Sequence, residues 1–245
     1  MGRRVATGTN VRSTYDRLAP DYDSLYLSNE DRAEDAWLAR YITRRLLPAG
    51  AVLDVGCGTG WFLDHVEVGG AYVGLDTSLG MIREAKRKHG RATRQFVLGT
   101  MLEPWCPQVG GGYDLVVSTY CSASYAPPAW AAEQAFDVLA PGGRVLFMPH
   151  AHGNARRPPH LPDEAYTPAP GEYYEFWEAD EAADELSAHG FRDVRVVGMR
   201  HPTKSPGRLA PLWAHRAWLV AEHATVGRRH PDRMTFLLAE GIVPT

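Results

Sequence analysis

The sequence predicts an α/β fold built on a mainly parallel sheet. An apolar run at 52–55 leads directly into a glycine-rich loop at 56–60, and a second apolar run at 71–75 ends on Asp76. Along most of the chain, short apolar runs alternate with longer amphipathic segments, a pattern typical of parallel strands joined by helices. With 245 residues, 44% of them hydrophobic, the chain is long enough to bury the core of one such domain.

The loop at 56–60 indicates a nucleotide-cofactor site. Gly56, Gly58 and Gly60 let the backbone turn sharply and approach a ligand with no Cβ in the way. Trp61 begins a helical pattern, so the loop leads into a helix N-terminus with unpaired N–H groups. Trp61 also stands where a P-loop needs lysine and where a dinucleotide fingerprint needs a third small residue. What remains is the pattern D-x-G-x-G-x-G, opened by Asp54.

This stretch resembles the first motif of the class I S-adenosylmethionine-dependent methyltransferases. Matching segments continue as far as about Val197 and include YDLVVS at 113–118 and LAPGGRVLF at 139–147. The resemblance implies a Rossmann-like, seven-stranded, mainly parallel sheet with an antiparallel last strand and helices on both faces. It also implies S-adenosyl-L-methionine as the cofactor.

The individual elements follow from periodicity and from capping residues. Strands are expected at 52–55, 71–75, 95–98, 113–117, 144–148, 191–197 and 212–221. Helices are expected at 11–26, 29–47, 126–139, 178–189 and 231–240, the second of them capped by Asn29. We expect one domain over 1–245, with an N-terminal helical cap at 1–47, a lid insertion at 150–176 after the fifth strand, and a C-terminal extension at 222–245.

The resemblance also implies which residues bind the cofactor. Asp76 follows Asp54 at roughly the 20-residue interval at which a carboxylate accepts hydrogen bonds from both ribose hydroxyls. Met81 is expected against the adenine or, alternatively, in the ordinary core. Thr100 replaces an acidic residue that often accepts a hydrogen bond from the adenine amino group, and its hydroxyl can accept that bond without charge. The predicted cofactor contacts are Asp54, Gly56, Cys57, Gly58, Gly60, Asp76, Thr77, Met81, Thr100, Met101, Ser118, Tyr15 and Tyr22.

The two tyrosines in that set belong to a segment near the N-terminus. Tyr15-Asp16 and Tyr22-Asp23 resemble the Y-D-x-x-A-x-x-Y-D entrance segment of many small-molecule methyltransferases. In that family the segment folds over the methionine end of the cofactor. Core packing is the alternative for either tyrosine.

Two segments are expected beside the reacting methyl group, at the carboxyl edge of the sheet. The first, 118–125, contains Tyr120, a candidate catalytic residue. It lacks the Asn/Asp-Pro-Pro-Tyr/Phe motif of enzymes that methylate nucleobase or amide nitrogens, which argues against DNA, many RNA-base and glutamine-amide substrates. The second is the insertion at 150–176, since a long connection in a compact domain is usually a lid or binding loop.

His150 and His152 in this insertion are the other candidate catalytic residues. They are two positions apart at a strand end, so they can face the same way, and either can act as a general base or orient the acceptor. Exposed loop histidines are the alternative. A metal site that adds His160 is a further alternative, although we predict no metal.

Composition narrows the function. A net charge of −3 and a pI of 6.4 give no overall attraction to nucleic acid or anionic lipid. The three cysteines show no metal or redox spacing and no signal peptide precedes them, so we expect a cytoplasmic protein with no membrane partner, and a homodimer is left open. The leading prediction is methyl transfer to oxygen or nitrogen of a small molecule, such as a specialised metabolite. The alternatives are a peptide N-terminal amine as acceptor, or a cofactor-binding domain with another reaction such as cyclisation.

Overall fold

The computed structural model describes residues 11–44, 50–151, 162, 168–170, 172–200, 206–207 and 210–245. The strands are β1 (Val52–Val55), β2 (Tyr72–Asp76), β3 (Arg94–Leu98), β4 (Tyr113–Ser118), β5 (Leu139–Phe147), β6 (Arg192–Met199) and β7 (Phe236–Ile242). The α-helices are α1 (Val11–Leu18), α2 (Asn29–Thr43), α3 (Trp61–His65), α4 (Leu79–His89), α5 (Trp105–Val109), α6 (Pro128–Val138), α7 (Ala179–Ala188) and α8 (Leu212–Glu222). In this described part of the chain, no helix has the length and apolar character needed to cross a membrane.

The strands form one sheet in the order β3-β2-β1-β4-β5-β7-β6 among the described residues. β1 pairs in parallel with both β2 and β4, whereas β7 is antiparallel to both β5 and β6. The predicted fold class is therefore confirmed. The strand order reverses between β1 and β4, and ligands of open α/β sheets bind beyond the carboxyl ends of the strands at such a point.

The two faces of the sheet are covered by different sets of helices. In β1, Val52 and Leu53 point to opposite faces, as successive residues of a strand must. Leu53 joins a core cluster with residues of α5, α6 and α7, whereas Val52 joins a second cluster with residues of α2, α3 and α4. Cys57 of the glycine loop belongs to this second cluster.

The last part of the chain differs from the prediction. Residues 212–221, expected to be the seventh strand, form helix α8, in which the buried His215, Leu219 and Glu222 recur at helical spacing. The helix expected at 231–240 is also wrong, since Pro231–Arg233 is a short 3₁₀ helix and β7 follows it. Residues 222–245 are accordingly not an extension past the sheet, because β7 lies between β5 and β6.

A smaller correction concerns the start of α2. The N-cap is Ser28 rather than Asn29, and its side chain accepts a hydrogen bond from the Asp31 N–H. The Asp31 carboxylate accepts in return from the Ser28 N–H, which completes a capping box. The predicted end of this helix, at residue 47, lies outside the described residues.

Candidate cofactor and acceptor site

The glycine loop has the backbone conformation that its sequence predicts. Gly56, Gly58 and Gly60 have φ values of 78°, 53° and 96°, in the left-handed region that favours glycine. A Cβ on Gly56 would come within 2.5 Å of the Ser122 Cβ, whereas a Cβ on Gly58 would meet nothing within 4 Å. The loop therefore fits closely against the segment after β4 at Gly56 and borders open space at Gly58.

Asp76, at the end of β2, is tied to this loop. Its Oδ2 accepts a hydrogen bond from the Gly58 N–H at 2.9 Å, and its Oδ1 accepts one from the Ser78 N–H at 2.8 Å. Burial raises the pKa of Asp76 to about 6, although these backbone hydrogen bonds act in the opposite direction. Each carboxylate oxygen keeps a lone pair for a further donor.

A cavity of about 330 Å³ opens between the glycine loop, the ends of β2 and β3, and α1; we call it the cofactor cavity. The predicted site residues that line it are Tyr15, Tyr22, Gly56, Gly58, Asp76, Thr77, Met81, Thr100, Met101 and Tyr120. A carboxylate with free lone pairs beside an open glycine turn, with the Met81 side chain in the same wall, fits an adenosine. The Thr100 hydroxyl accepts from the Leu102 N–H at 3.2 Å and keeps one lone pair.

Four predicted cofactor residues do not line this cavity. Asp54 is buried in β1, where its Oδ2 accepts from the Tyr72 hydroxyl at 2.8 Å and burial raises its pKa to about 7. Gly60 caps α3 and lies against His89, and Ser118 is buried in β4. Cys57 lines the neighbouring cavity described below. These four residues are absent from the described lining of the cavity, so their contact with the cofactor stays a prediction.

The sequence reasoning missed the two aspartates of the entrance segment. Asp16 Oδ1 accepts from the Ser78 hydroxyl at 2.6 Å and from the Gly80 N–H at 2.8 Å, which ties α1 to the start of α4. Burial acts to raise the pKa of Asp16, but these hydrogen bonds together with the charges of Arg12 and Arg83 outweigh it, and the pKa is lowered. Asp23 Oδ1 accepts from the Thr59 hydroxyl at 2.5 Å, which ties the segment to the glycine loop. The Y-D-x-x-A-x-x-Y-D pattern, which contains both aspartates, is the sequence feature that could have identified them.

The insertion contributes its described end to the same cavity. The Glu172 carboxylate accepts from the Val11 N–H at 3.2 Å, at the start of α1, and Glu172 and Tyr173 both line the cofactor cavity. The Glu175 N–H donates to the Ser124 carbonyl at 2.9 Å. Most of the segment 150–176 lies outside the described residues, so its role as a lid stays a prediction.

A second cavity, of about 460 Å³, adjoins the first, and we call it the acceptor cavity. The residues that line both are Tyr15, Tyr22, Gly56, Gly58, Tyr120 and Ser122. Other parts of its wall come from α2, α3, Lys88 of α4, Arg200 after β6 and Phe236 of β7, where the sequence indicated no site. A ligand in the second cavity therefore lies next to a ligand in the first.

Tyr120, predicted to be catalytic, stands at this junction. Its φ of 46° is unusual for a residue with a side chain, and its hydroxyl donates to Asp35 Oδ1 at 2.7 Å. Burial raises the pKa of Tyr120 well above its ordinary value, and the Asp35 charge adds to this. The phenol stays protonated at neutral pH, so it can donate to Asp35 while its oxygen accepts from a ligand.

His150 does not line either cavity. Its side chain is fully buried between the rings of Phe176 and Phe236, with ring centroids 5.4 and 5.3 Å away. Its Nε2 lies 3.0 Å from the Cys121 thiol, and its Nδ1 forms a hydrogen bond with the Tyr174 hydroxyl. Cys121 and Phe236 lie between His150 and the acceptor cavity, so the structure gives no support for direct contact of His150 with an acceptor.

The other two histidines of the insertion, His152 and His160, lie outside the described residues. Within the described ranges, no group of three or more His, Cys, Asp or Glu side chains could hold a metal ion. The roles considered for His152 and His160 remain sequence-based hypotheses.

Comparison with known proteins gives the class of protein. A profile of the methyltransferase domain family matches residues 26–196. The Lactococcus lactis demethylmenaquinone methyltransferase is 30% identical over 150 residues, which are 58% of this chain and 59% of that protein. The match thus spans less than two thirds of the relative's length.

Solved structures show the same fold at low sequence identity. A chain from the complex of the Haloferax volcanii Trm112 methyltransferase activator with the putative methyltransferase has a TM-score of 0.65 and 19% identity, and the match covers 96% of this chain and 98% of that one. Haemonchus contortus phosphoethanolamine N-methyltransferase 2 in complex with S-adenosyl-L-methionine has a TM-score of 0.64 and 14% identity. That match covers 98% of this chain and 61% of the other.

The fold, the glycine loop with Asp76, and the profile match agree on one class. The chain belongs to the methyltransferase domain family, and its resemblance to the class I S-adenosylmethionine-dependent methyltransferases is confirmed. S-adenosyl-L-methionine is the cofactor of this class, and the cofactor cavity fits it.

Proposed function

We propose that the chain transfers a methyl group from S-adenosylmethionine to oxygen or nitrogen of a small molecule in the acceptor cavity. The observation that carries the proposal is the junction of the two cavities, whose shared wall includes Tyr120 and the loop residues Gly56 and Gly58. When bound, the cofactor supplies a methyl group on a sulfonium, which an acceptor lone pair displaces as the carbon–sulfur pair returns to sulfur.

The size of the acceptor cavity supports a small-molecule acceptor. Its volume of about 460 Å³ falls in the range of roughly 300–1,000 Å³ that is typical of small-molecule sites. Displacement at a methyl group chiefly needs the acceptor held close, in line and away from water. Tyr15 and Tyr22 in the entrance segment, held by Asp16 and Asp23, would exclude water from the junction.

Tyr120 is the residue placed to orient the acceptor. Since its hydroxyl proton is committed to Asp35, its oxygen would accept a hydrogen bond from an acceptor N–H or O–H. Such a bond would aim the acceptor's lone pair without requiring Tyr120 to ionise. The proposal therefore assigns Tyr120 an orienting role at the junction.

Carbon as the acceptor is a second candidate. The 30% identical relative is named a demethylmenaquinone methyltransferase, which makes a quinol ring carbon worth testing. A peptide N-terminal amine and a reaction other than methyl transfer, such as cyclisation, remain the alternatives that the sequence suggested.

Mass spectrometry of a substrate panel tests the proposal. The chain is mixed with S-adenosylmethionine and, in separate reactions, with arylalkylamines such as benzylamine, with phenols, with short peptides that have free N-termini, and with a demethylmenaquinone analogue. We expect an amine or a phenol to gain one methyl group. One molecule of S-adenosylhomocysteine should form for each molecule of methylated product. Methylation of the quinone analogue alone would favour the second candidate. Conversion of a panel compound without consumption of the cofactor would contradict methyl transfer.

A further inference from the structure

Asp35 presents an unused acceptor to the acceptor cavity. The Trp61 Nε1–H and the Tyr120 hydroxyl both donate to its Oδ1, each at 2.7 Å. Its Oδ2 accepts no hydrogen bond from the residues that the structure describes, and the cationic group found near it there is His65 Nε2, at 3.8 Å. Asp35 lines the cavity, so Oδ2 is available to a donor on a bound ligand.

Aromatic rings surround this carboxylate. Trp61 and Tyr120 pack edge to face with centroids 5.0 Å apart, and Tyr120 packs in the same way on Phe236 at 6.1 Å. All three line the acceptor cavity, as do Tyr22 and Tyr26, whose centroids are 5.3 Å apart. Aromatic faces attract cations and also bury the apolar body of a ligand.

The charges of the described lining favour a cation as well. Its carboxylates are Asp23, Asp31, Glu34, Asp35 and Asp64, and its strong cations are Arg32, Lys88 and Arg200. Two of the three cations are already engaged, because Lys88 Nζ lies 2.8 Å from Asp23 and 2.5 Å from Asp64, and Arg200 Nε lies 3.1 Å from Glu34.

Glu34, in the same lining, is already compensated. Its side chain is 3% exposed, Arg200 Nε lies 3.1 Å from its Oε1, and burial raises its pKa to about 8. A cationic ligand would therefore pair with Asp35 rather than with Glu34.

We propose that the acceptor is an organic amine, bound as its ammonium ion by Asp35 Oδ2 and the rings of Trp61, Tyr120 and Phe236. This inference rests on the proposed function and narrows it from oxygen or nitrogen to nitrogen. The ligand class is a primary or secondary amine attached to an apolar or aromatic body. Phenols and neutral alcohols lack the charge that this site selects.

An ammonium nitrogen has no lone pair, so it must lose one proton before it can attack. Asp35 Oδ2, hydrogen-bonded to that nitrogen, accepts the proton and becomes a neutral carboxyl group. The groups facing it are Tyr120 and Trp61 on Oδ1, His65 beside Oδ2, and Asp31 one turn earlier on α2. Asp35 gives the proton up to solvent once the product has left. The freed nitrogen forms the bond to the methyl carbon, and the product leaves as a methylated ammonium ion.

Calorimetry on matched pairs of probes tests the recognition step without turnover. The chain, saturated with S-adenosylhomocysteine, is titrated at about pH 7.5 with benzylammonium or benzyl alcohol, and with phenethylammonium or phenethyl alcohol; the amines stay protonated there. We expect the charged member to bind roughly tenfold tighter in at least one pair. Equal affinities in both pairs would overturn the proposal.

Asp35→Asn is the decisive variant. Asparagine can keep both hydrogen bonds to its Oδ1 but replaces the free oxygen with an amide, so the charge preference should disappear while the affinity for S-adenosylhomocysteine stays the same. Asp184→Asn, on the exposed side of α7, is the matched control and should leave the preference unchanged. A preference that persists in Asp35→Asn would refute the assignment to Asp35.

The same proteins, supplied with S-adenosylmethionine and the panel described above, separate the two proposals. A charge preference without methylation of any panel compound would uphold ammonium recognition and reject methyl transfer. Methylation of phenols together with equal binding of charged and neutral probes would uphold methyl transfer and overturn the amine assignment.

Discussion

The Gly58 N–H donates to Asp76 Oδ2 at 2.9 Å, so the end of β2 holds the turn of the glycine loop. The same carboxylate accepts from Ser78 at the start of α4. Asp76 thereby joins the two chain segments that bound the cofactor cavity, and these backbone hydrogen bonds fix the position of its carboxylate. A site arranged in advance in this way loses little entropy when the ligand binds.

Replacement of Asp76 should weaken cofactor binding directly. In Asp76→Ala, two ribose hydroxyls would lose a charged acceptor, and we expect a loss of about 2 kcal/mol in binding free energy. Titration calorimetry with S-adenosylhomocysteine measures it, with Asp184→Asn as the control. An unchanged affinity in a folded Asp76→Ala protein would remove the assignment of the ribose to this residue.

Cofactor affinity should also depend on pH through Asp76. Burial raises the pKa of Asp76 to about 6, and hydroxyl donors favour its ionised form. Affinity should therefore be highest above about pH 7 and fall as the pH drops through 6. Asp76→Asn should bind weakly, with no such dependence in this window. Identical pH profiles for the two proteins would show that another group is responsible.

Stability of the ligand-free chain should change in the opposite direction with pH. Because the pKa of Asp76 is higher in the folded chain than in the unfolded one, its contribution to stability is present at low pH and is lost as the pH rises through about 6. Urea unfolding of wild type and Asp76→Asn between about pH 5 and 7.5 measures the difference. If the unfolding free energy fell more with rising pH in Asp76→Asn than in the wild type, this predicted direction would be wrong.

The entrance segment should lose its order when its aspartates are replaced. Asp16→Ala removes acceptors for the Ser78 hydroxyl and the Gly80 N–H, each part of a charge-assisted bond. We expect faster amide exchange over residues 11–26 and cofactor affinity about tenfold lower. Asp21→Ala, in the same segment and exposed, is the control. Equal exchange in the two variants would show that Asp16 does not anchor the segment.

Two glycines of the loop should differ in their tolerance of alanine. Both have positive φ, so both substitutions carry backbone strain of about 1–3 kcal/mol. Gly56→Ala also brings its Cβ within 2.5 Å of the Ser122 Cβ, whereas Gly58→Ala meets nothing. Thermal unfolding should show the larger loss for Gly56→Ala, and adding Ser122→Gly should recover part of it. No recovery would mean that strain alone sets the cost.

His150 should prove to be a structural residue. His150→Ala would leave a cavity between Phe176 and Phe236 and remove partners from Cys121 and Tyr174, so we expect a loss of about 2–4 kcal/mol in unfolding free energy. The remaining activity should keep the pH profile of the wild type. If a folded His150→Ala protein lost the change in activity that the wild type shows near neutral pH, His150 would be the general base after all.

Much of the fold could be predicted because its signals are local. An apolar run followed by glycines or by an acidic residue marked β1 and β2 without any knowledge of the rest of the chain. The end of the chain could not be predicted in the same way. Residues 212–221 are apolar enough to suggest a strand, and β7 contains leucine, alanine and glutamate, which favour helices. Burial of β7 between β5 and β6 decided its conformation.

The sequence by itself determined one wall of the cofactor cavity, formed by the glycine loop and the acidic end of β2. The left-handed glycines and the carboxylate at the end of β2 lie in contiguous segments, so their geometry follows from residue type and spacing. Only the tertiary structure decided the acceptor half. Asp35 and Tyr120 are 85 positions apart and meet because α2 packs on one face of the sheet beside the segment after β4. Such packing depends on apolar burial summed over the whole chain, which no single segment encodes.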